Sequence, residues 1–117
     1  MTETRKEQLS RTTLLLGEPA MERLSHARVA VFGIGGVGGY VTEALARSGI
    51  GALDLIDGDT VSLSNLNRQI IALRSTVGRP KTEVMAERIR DIDPDIQLTL
   101  HNCIFTPDNA GEADFTQ

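Results

Sequence analysis

From Arg28 onward the apolar positions change their period several times, and each change marks an element. "RVAVF", beginning at Arg28, is an apolar, β-branched run of the kind found in a strand covered on both faces of a parallel sheet. Val37, Tyr40, Val41, Ala44, Leu45 and Ser48 then recur at helical spacing, which predicts a helix laying that face on the sheet until Gly49 and Gly51 end it. "ALDLIDGD", residues 52–59, reads as a second strand, and its interior Asp54 suggests that part of one face reaches solvent. The next, polar stretch predicts a short helix or turn over residues 65–73. Pro80 suits a first helical position and opens a helix with Met85, Ile89 and Ile92 on one face, stopped by Pro94. "IQLTLHN" alternates Ile96, Leu98 and Leu100 with Gln97, Thr99 and His101, the period of a strand with one wetter face at a sheet edge. Upstream, Leu14 to Leu16 end at Gly17 and a helix runs through Met21 and Leu24, giving a helical arm.

Strand, helix, strand, helix, strand at this spacing is a βαβαβ unit, which right-handed crossovers lay out in the order 3-2-1. The expected fold is α/β and Rossmann-like, with a parallel sheet. Residues 1–27 form the N-terminal helical arm and residues 28–117 the N-terminal portion of a nucleotide-binding domain. Strand 1 would keep an exposed apolar edge, which folded proteins pair or cover. Further strands beyond the chain end, or a partner, are expected there.

The 117 residues, 40% hydrophobic and 24% charged, suffice for one core. A net charge of -4 weighs against a surface built chiefly to neutralise phosphates, and 3% aromatic content weighs against base-stacking platforms. One cysteine, Cys103, excludes an intramolecular disulfide, and no apolar stretch is long enough for a signal peptide or membrane span. A cytoplasmic protein with no membrane partner is expected.

Between the first strand and its helix, "VFGIGGVGGY" carries five glycines. Gly33, Gly35 and Gly38 form G-x-G-x-x-G in the strand-to-helix context that the dinucleotide fingerprint requires. In that reading Gly33 permits the tight turn, Gly35 the close approach of phosphate to backbone N–H groups, and Gly38 the packing of helix on strand. Asp57, 19 residues past Gly38 and at the end of strand 2, is placed to accept hydrogen bonds from ribose hydroxyls. A turn that only packs helix on strand is the alternative.

A dehydrogenase needs that loop and acid but has no need of the basic residues downstream of Asp57. Arg68 and Lys81 lie on segments leaving the carboxyl end of strand 2, where a ligand of such a sheet sits. Lys81 in a helix's first turn opposes the macrodipole by roughly 0.3–1 kcal/mol, and Arg79 adds charge beside it; a bound anion reverses that balance. Cations and a helix N-terminus around a polyphosphate suit nucleotidyl transfer, which is mainly charge stabilisation and alignment. Solvated surface charges offset by Glu83 are the plainer alternative.

"GIGGVGGYVTEALARSGIG", "LIDGDTVSLSNLNRQIIALRSTVGRPKTEVMAERIRDIDP" and the upstream "SRTTLLLGE" resemble the ThiF/MoeB/HesA superfamily of ubiquitin-activating-type adenylating enzymes, most closely its tRNA threonylcarbamoyladenosine dehydratase branch. The resemblance covers residues 9–109, with loop, acid, N-x-N-R-Q and G-x-x-K in the same order and spacing. It implies that Gly33, Gly35, Gly36 and Gly38 cradle ATP and that Asp57 holds its ribose. Asn65, Arg68 and Lys81 would contact phosphates, with Arg68 and Lys81 stabilising charge as an oxygen attacks the α-phosphate. Arg11 matches the arginine that these enzymes reach across a homodimer interface. In the dehydratase branch the activated group is the side-chain carboxylate of threonylcarbamoyladenosine in tRNA, which then cyclises. In the sulfur-carrier branches it is the C-terminus of a ubiquitin-like protein, with a sulfur-transfer partner acting next.

Some expected features lie elsewhere or differ. The family's Mg2+-binding aspartate falls beyond Gln117, as do its substrate-binding half and any thioester cysteine, so this chain alone is expected to be a poor catalyst. Asp93 stands where asparagine is usual, a change expected to affect only helix capping. Cys103 reads as a small filler after strand 3, and His26 and His101 lack partners at metal or triad spacing. An NAD-binding oxidoreductase and an inactive truncated module remain as readings of other classes.

Overall fold

A computed structural model describes residues 1–104 of the chain. Three short helices, α1 (Glu3–Gln8), α2 (Ser10–Leu16) and α3 (Glu18–Ser25), precede β1 (Arg28–Phe32). The chain continues through α4 (Val37–Ser48), β2 (Ala52–Ile56), 3₁₀ turns at Leu63–Asn67 and Arg74–Thr76, α5 (Lys81–Ile92) and β3 (Gln97–His101). The strands are parallel and ordered β1-β2-β3, with Val31 beside Leu55 and Leu55 beside Leu100. This is the order that right-handed crossovers demand.

Alternation along the strands sends Val29, Val31, Leu53, Leu55, Leu98 and Leu100 to one face, where they join Ile34, Met85 and Ile89 in the core. Leu53, Leu55, Met85 and Ile89 are each at most 1% exposed, and burying such a side chain is worth about 1.5–3 kcal/mol. Among the described residues β1 is not covered on both faces. Phe32, on the other face, is 51% exposed. Successive right-handed crossovers put both helices on the same side, so one face of β1 is left open.

α4 turns a different face inward from the one its large apolar residues suggest. Gly39, Thr42 and Ala46 are buried, while Val37, Tyr40 and Val41 are exposed. Small side chains let the helix lie close against the loop before it: a Cβ on Gly38 would stand 1.7 Å from the Gly33 carbonyl oxygen, and Thr42 Oγ1 donates to the Gly38 carbonyl at 2.7 Å. Close backbone approach therefore overrides the hydrophobic period. Pro80 caps α5 from outside, which leaves Lys81 as the first helical residue.

Buried charges pair at two places, the middle of β2 and the corner where α1 meets the sheet. Asp54, 1% exposed, takes a bidentate pair from Arg28 at 2.6 and 2.8 Å and lies 3.3 Å from His101 Nε2. As the interior Asp54 suggests, that face is partly open to water: Ala30, Phe32 and Thr99 on it are exposed, while charged partners close over Asp54 itself, and His101 has a carboxylate partner after all. The Arg28 hydrogen bonds, aided by His101, hold the Asp54 carboxyl below the usual aspartate range against the opposing effect of burial. Asp93 does more than cap: it pairs with Arg5 of α1 at 2.8 Å while accepting from the Asp95 N–H. Arg5 also donates to the carbonyls of Gly49 and Ile50, and Leu9, 1% exposed, packs at the same corner against Gly49.

Candidate nucleotide site

β1 ends by handing its ladder to a loop. The Gly33 N–H donates to the Ile56 carbonyl at 2.8 Å, and Gly33 (φ +89) and Gly36 (φ +52) then turn the chain through the left-handed region that favours glycine. Gly36 is the N-cap of α4 and supplies no capping side chain, so the first N–H groups of the helix lack the usual side-chain acceptor. That end carries the helix's positive partial charge.

Asp57 ties the loop to β2. Its Oδ2 accepts from the Ile34 N–H at 2.8 Å and its Oδ1 from the Asp59 N–H at 2.7 Å. A carboxylate has about four acceptor sites, so these bonds leave lone pairs for a ligand hydroxyl. The chain then doubles back: Thr60 bridges Pro80, and the Lys81 N–H donates to the Asp59 carbonyl at 3.1 Å. Glycine loop, Asp57, Asp59 and the start of α5 thus form one hydrogen-bonded series.

Lys81 is 7% exposed. Among the described residues its ammonium has neither a carboxylate partner nor a side-chain hydrogen bond, unlike Arg5 and Arg28. A cation in the first turn of a helix opposes the helix dipole until an anion joins it. Arg68 is exposed, its guanidinium held by the Ser64 carbonyl at 3.2 Å and Asn67 Oδ1 at 2.9 Å, with no carboxylate among the described residues. Asn65, 8% exposed, uses Oδ1 to accept the Ser62 N–H, so the side chain builds the turn that carries Arg68. Arg79 does not join this group: it makes a bidentate pair with Glu87 at 2.6 and 2.9 Å, so its charge is neutralised away from Lys81. Arg11 is exposed on α2.

Beside the loop a cavity of about 330 Å³ is bordered by Phe32, Gly33, Asp57, Gly58, Cys103 and Ile104. Cys103 is exposed at its wall and is not a buried filler. A larger groove of about 670 Å³, between α4, α5 and residues 70–76, contains neither the glycine loop, Asp57 nor the unpaired cations. The smaller cavity is bordered by Gly33 and the hydrogen-bonded Asp57, and it too lacks Lys81 and Arg68. Among the described residues no three His, Cys, Asp or Glu side chains gather to hold a metal ion. Gln69 is the residue that pattern reasoning misses. Its side chain lies over Gly35, and its uncharged amide gives no electrostatic signal, although it stands next to Arg68 in the N-x-N-R-Q run.

The ThiF family pattern matches residues 8–116. The chain belongs to the ThiF family. It is 50% identical over 107 residues to the tRNA threonylcarbamoyladenosine dehydratase of Escherichia coli, spanning 92% of this chain and 40% of that protein. It is 47% identical over 81 residues to the molybdopterin-synthase adenylyltransferase of Salmonella typhimurium, spanning 69% of this chain and 32% of the relative. The crystal structure of the E. coli dehydratase in complex with ATP superposes with a TM-score of 0.92 at 48% identity, over 95% of this chain and 46% of that one. This ThiF chain therefore spans less than half the length of these relatives. Within its described residues, no helix is long and apolar enough to cross a membrane.

Proposed function

We propose that this chain carries the ATP-binding portion of an adenylating enzyme, a tRNA threonylcarbamoyladenosine dehydratase. The observation that carries the reading is Lys81: a largely buried lysine without a carboxylate partner among the described residues, at a helix N-terminus tied through Asp59 and Asp57 to a glycine loop. Its relatives add the nucleotide, since the dehydratase of 48% identity is solved with ATP and also with AMP.

In this reading the N–H groups of the glycine loop, at Gly33, Gly35, Gly36 and Gly38, cradle phosphate oxygens. Asp57 accepts from the ribose through its remaining lone pairs. Lys81 and Arg68 hold negative charge from the other side, and Asn65 fixes the turn that aims Arg68. ATP would supply the activated α-phosphorus and the leaving pyrophosphate. The substrate is tRNA, and the location is cytoplasmic. A homodimer is supported by exposed apolar residues: Leu14 and Leu15, 86% and 83% exposed, share a helix face with Arg11, which would reach the partner's nucleotide. Activation of a ubiquitin-like sulfur-carrier protein, with a sulfur-transfer partner, is the second reading, favoured by the likeness to the molybdopterin-synthase adenylyltransferase.

Calorimetric titration of ATP into the whole chain tests the nucleotide. Lys81→Ala and Arg68→Ala are each expected to weaken ATP at least about tenfold, or about 1.4 kcal/mol. Unchanged affinity in both would overturn the reading, and NADH binding that survives both changes would point to an oxidoreductase. AMP formation stimulated by tRNA rather than by a ubiquitin-like protein ending in Gly-Gly separates the two substrates.

A further inference from the structure

Gly35 does not owe its identity to backbone conformation, for it is not among the glycines with positive φ. What stands where its side chain would be is Gln69: a Cβ on Gly35 would lie 2.7 Å from both Nε2 and Oε1 of Gln69 and 2.8 Å from its Cδ. Near-equal distances to three atoms of one planar group mean that the carboxamide lies face-on to the glycine Cα. Its Oε1 is buried and has no hydrogen-bond partner among the described residues, an arrangement that folded proteins avoid. The neighbouring residue repeats the contact, since a Cβ on Gly39 would meet Ile70 Cγ2 at 3.0 Å. The Gln69 backbone is fixed by its N–H on the Asn65 carbonyl at 2.9 Å and by its own carbonyl, which accepts from the Ala72 N–H at 3.0 Å.

We infer that Gln69 is a positioning residue for the phosphates, its carboxamide filling the place of the missing Gly35 side chain and so keying the glycine loop to the turn that carries Arg68. The inference rests on the nucleotide reading of the loop and adds a coupling to it. The loop's N–H groups and the Arg68 guanidinium face the ligand from two segments far apart in sequence, and Gln69 is where those segments touch. In this scheme glycine at position 35 serves the glutamine rather than direct phosphate approach.

ATP and adenosine titrations of the whole chain test it, with Gly35→Ala, Gln69→Ala and the double variant. An added methyl at position 35 meets the movable end of a side chain, so it displaces Gln69 without disturbing the fold. Each single variant is expected to lose about tenfold in ATP affinity, change adenosine affinity less than about twofold, and keep its melting temperature. The double variant should be no worse than either single one. A double variant about a hundredfold weaker would overturn the inference, because the two residues would then act independently. Equal losses for ATP and adenosine would also overturn it, marking a merely structural contact. Gln69→Glu keeps the shape and adds an anion, so it should weaken ATP more than Gln69→Ala does; tighter binding would refute a place beside the phosphates. Failure of the unaltered chain to bind ATP would bring down the nucleotide reading itself, whereas a failed coupling in a chain that binds ATP would leave that reading standing.

Discussion

At the corner that holds the arm Arg5 meets Asp93, and along β2 Arg28 meets Asp54, each carboxylate at most 2% exposed and each cation bound to its acid. Where the strands end, Lys81 is buried without an acid among the described residues, and Arg68 is held only by a carbonyl and an amide oxygen. Both regions place cations near backbone termini, so composition does not distinguish them. Pairing does. A buried charge with its partner belongs to the fold, whereas a cation without an acid is open to a ligand of opposite sign. The surface pairs Arg79–Glu87 and Arg88–Glu43 share the first pattern at the edge of α5, and each lowers the carboxyl's affinity for protons mainly through an arginine hydrogen bond. The lysine at the start of that helix stands apart from them.

The largest effect is expected at the corner that holds the arm. Removing one partner of a buried pair leaves the other charge stranded, so Asp93→Ala or Arg5→Ala should destabilise the chain by about 3–5 kcal/mol in urea denaturation. Replacing both by apolar residues, as Arg5→Met with Asp93→Leu, should recover most of the loss. A single-variant cost below about 1 kcal/mol would show that the paired end resembles an ordinary surface contact and would erase the contrast with Lys81.

That corner also marks where the sequence stops being legible. The sheet order, the element sequence and the glycine loop are all readable from period, punctuation and handedness, because each is a local pattern or a rule about short connections. Arg5 and Asp93 are 88 residues apart, and nothing local in either segment announces a partner. The buried face of α4 escapes a reading by period because large apolar residues outweigh glycine, threonine and alanine in any hydrophobic count. Yet a helix packed on a tight loop needs small ones. Lys81 is visible because a cation against a helix dipole is locally unfavourable, and Arg68 because it lies on the segment leaving the carboxyl end of strand 2. Gln69 carries no charge and opposes no dipole, and only the fold brings it over Gly35.

A middle-sized effect should appear with pH at Asp54. Folding lowers the pKa of this group, so the folded chain holds the proton less tightly than the unfolded chain does. Its stabilisation is therefore complete above the ordinary aspartate value near 4 and is lost as pH falls from there through the lower folded value. Hydrogen bonds to a charged group contribute about 1.5–3 kcal/mol, which sets the scale of the loss. Melting temperatures recorded between neutral pH and about pH 2 should fall less steeply for Asp54→Asn than for the unaltered chain, though from a lower starting point. Parallel curves would place the acid sensitivity elsewhere and detach Asp54 from the paired set.

The smallest stability change should come at Lys81, and its sign matters more than its size. If the ammonium answers a ligand rather than the fold, Lys81→Met keeps the volume and removes a charge that has no carboxylate partner among the described residues. Stability without nucleotide should then stay level or rise by about 0.5–1 kcal/mol, while ATP affinity falls. Opposite movement of the two readouts is what distinguishes this end of the sheet from the other, where Asp93→Ala lowers stability and the nucleotide loop lies elsewhere. Thermal unfolding with and without ATP measures both at once, because a ligand at free concentration L that binds the folded state stabilises it by RT ln(1 + L/Kd) and so raises the midpoint. A clear loss of stability without nucleotide would mean that the lysine's surroundings already satisfy it, and the division between paired and unpaired charge would no longer identify the site.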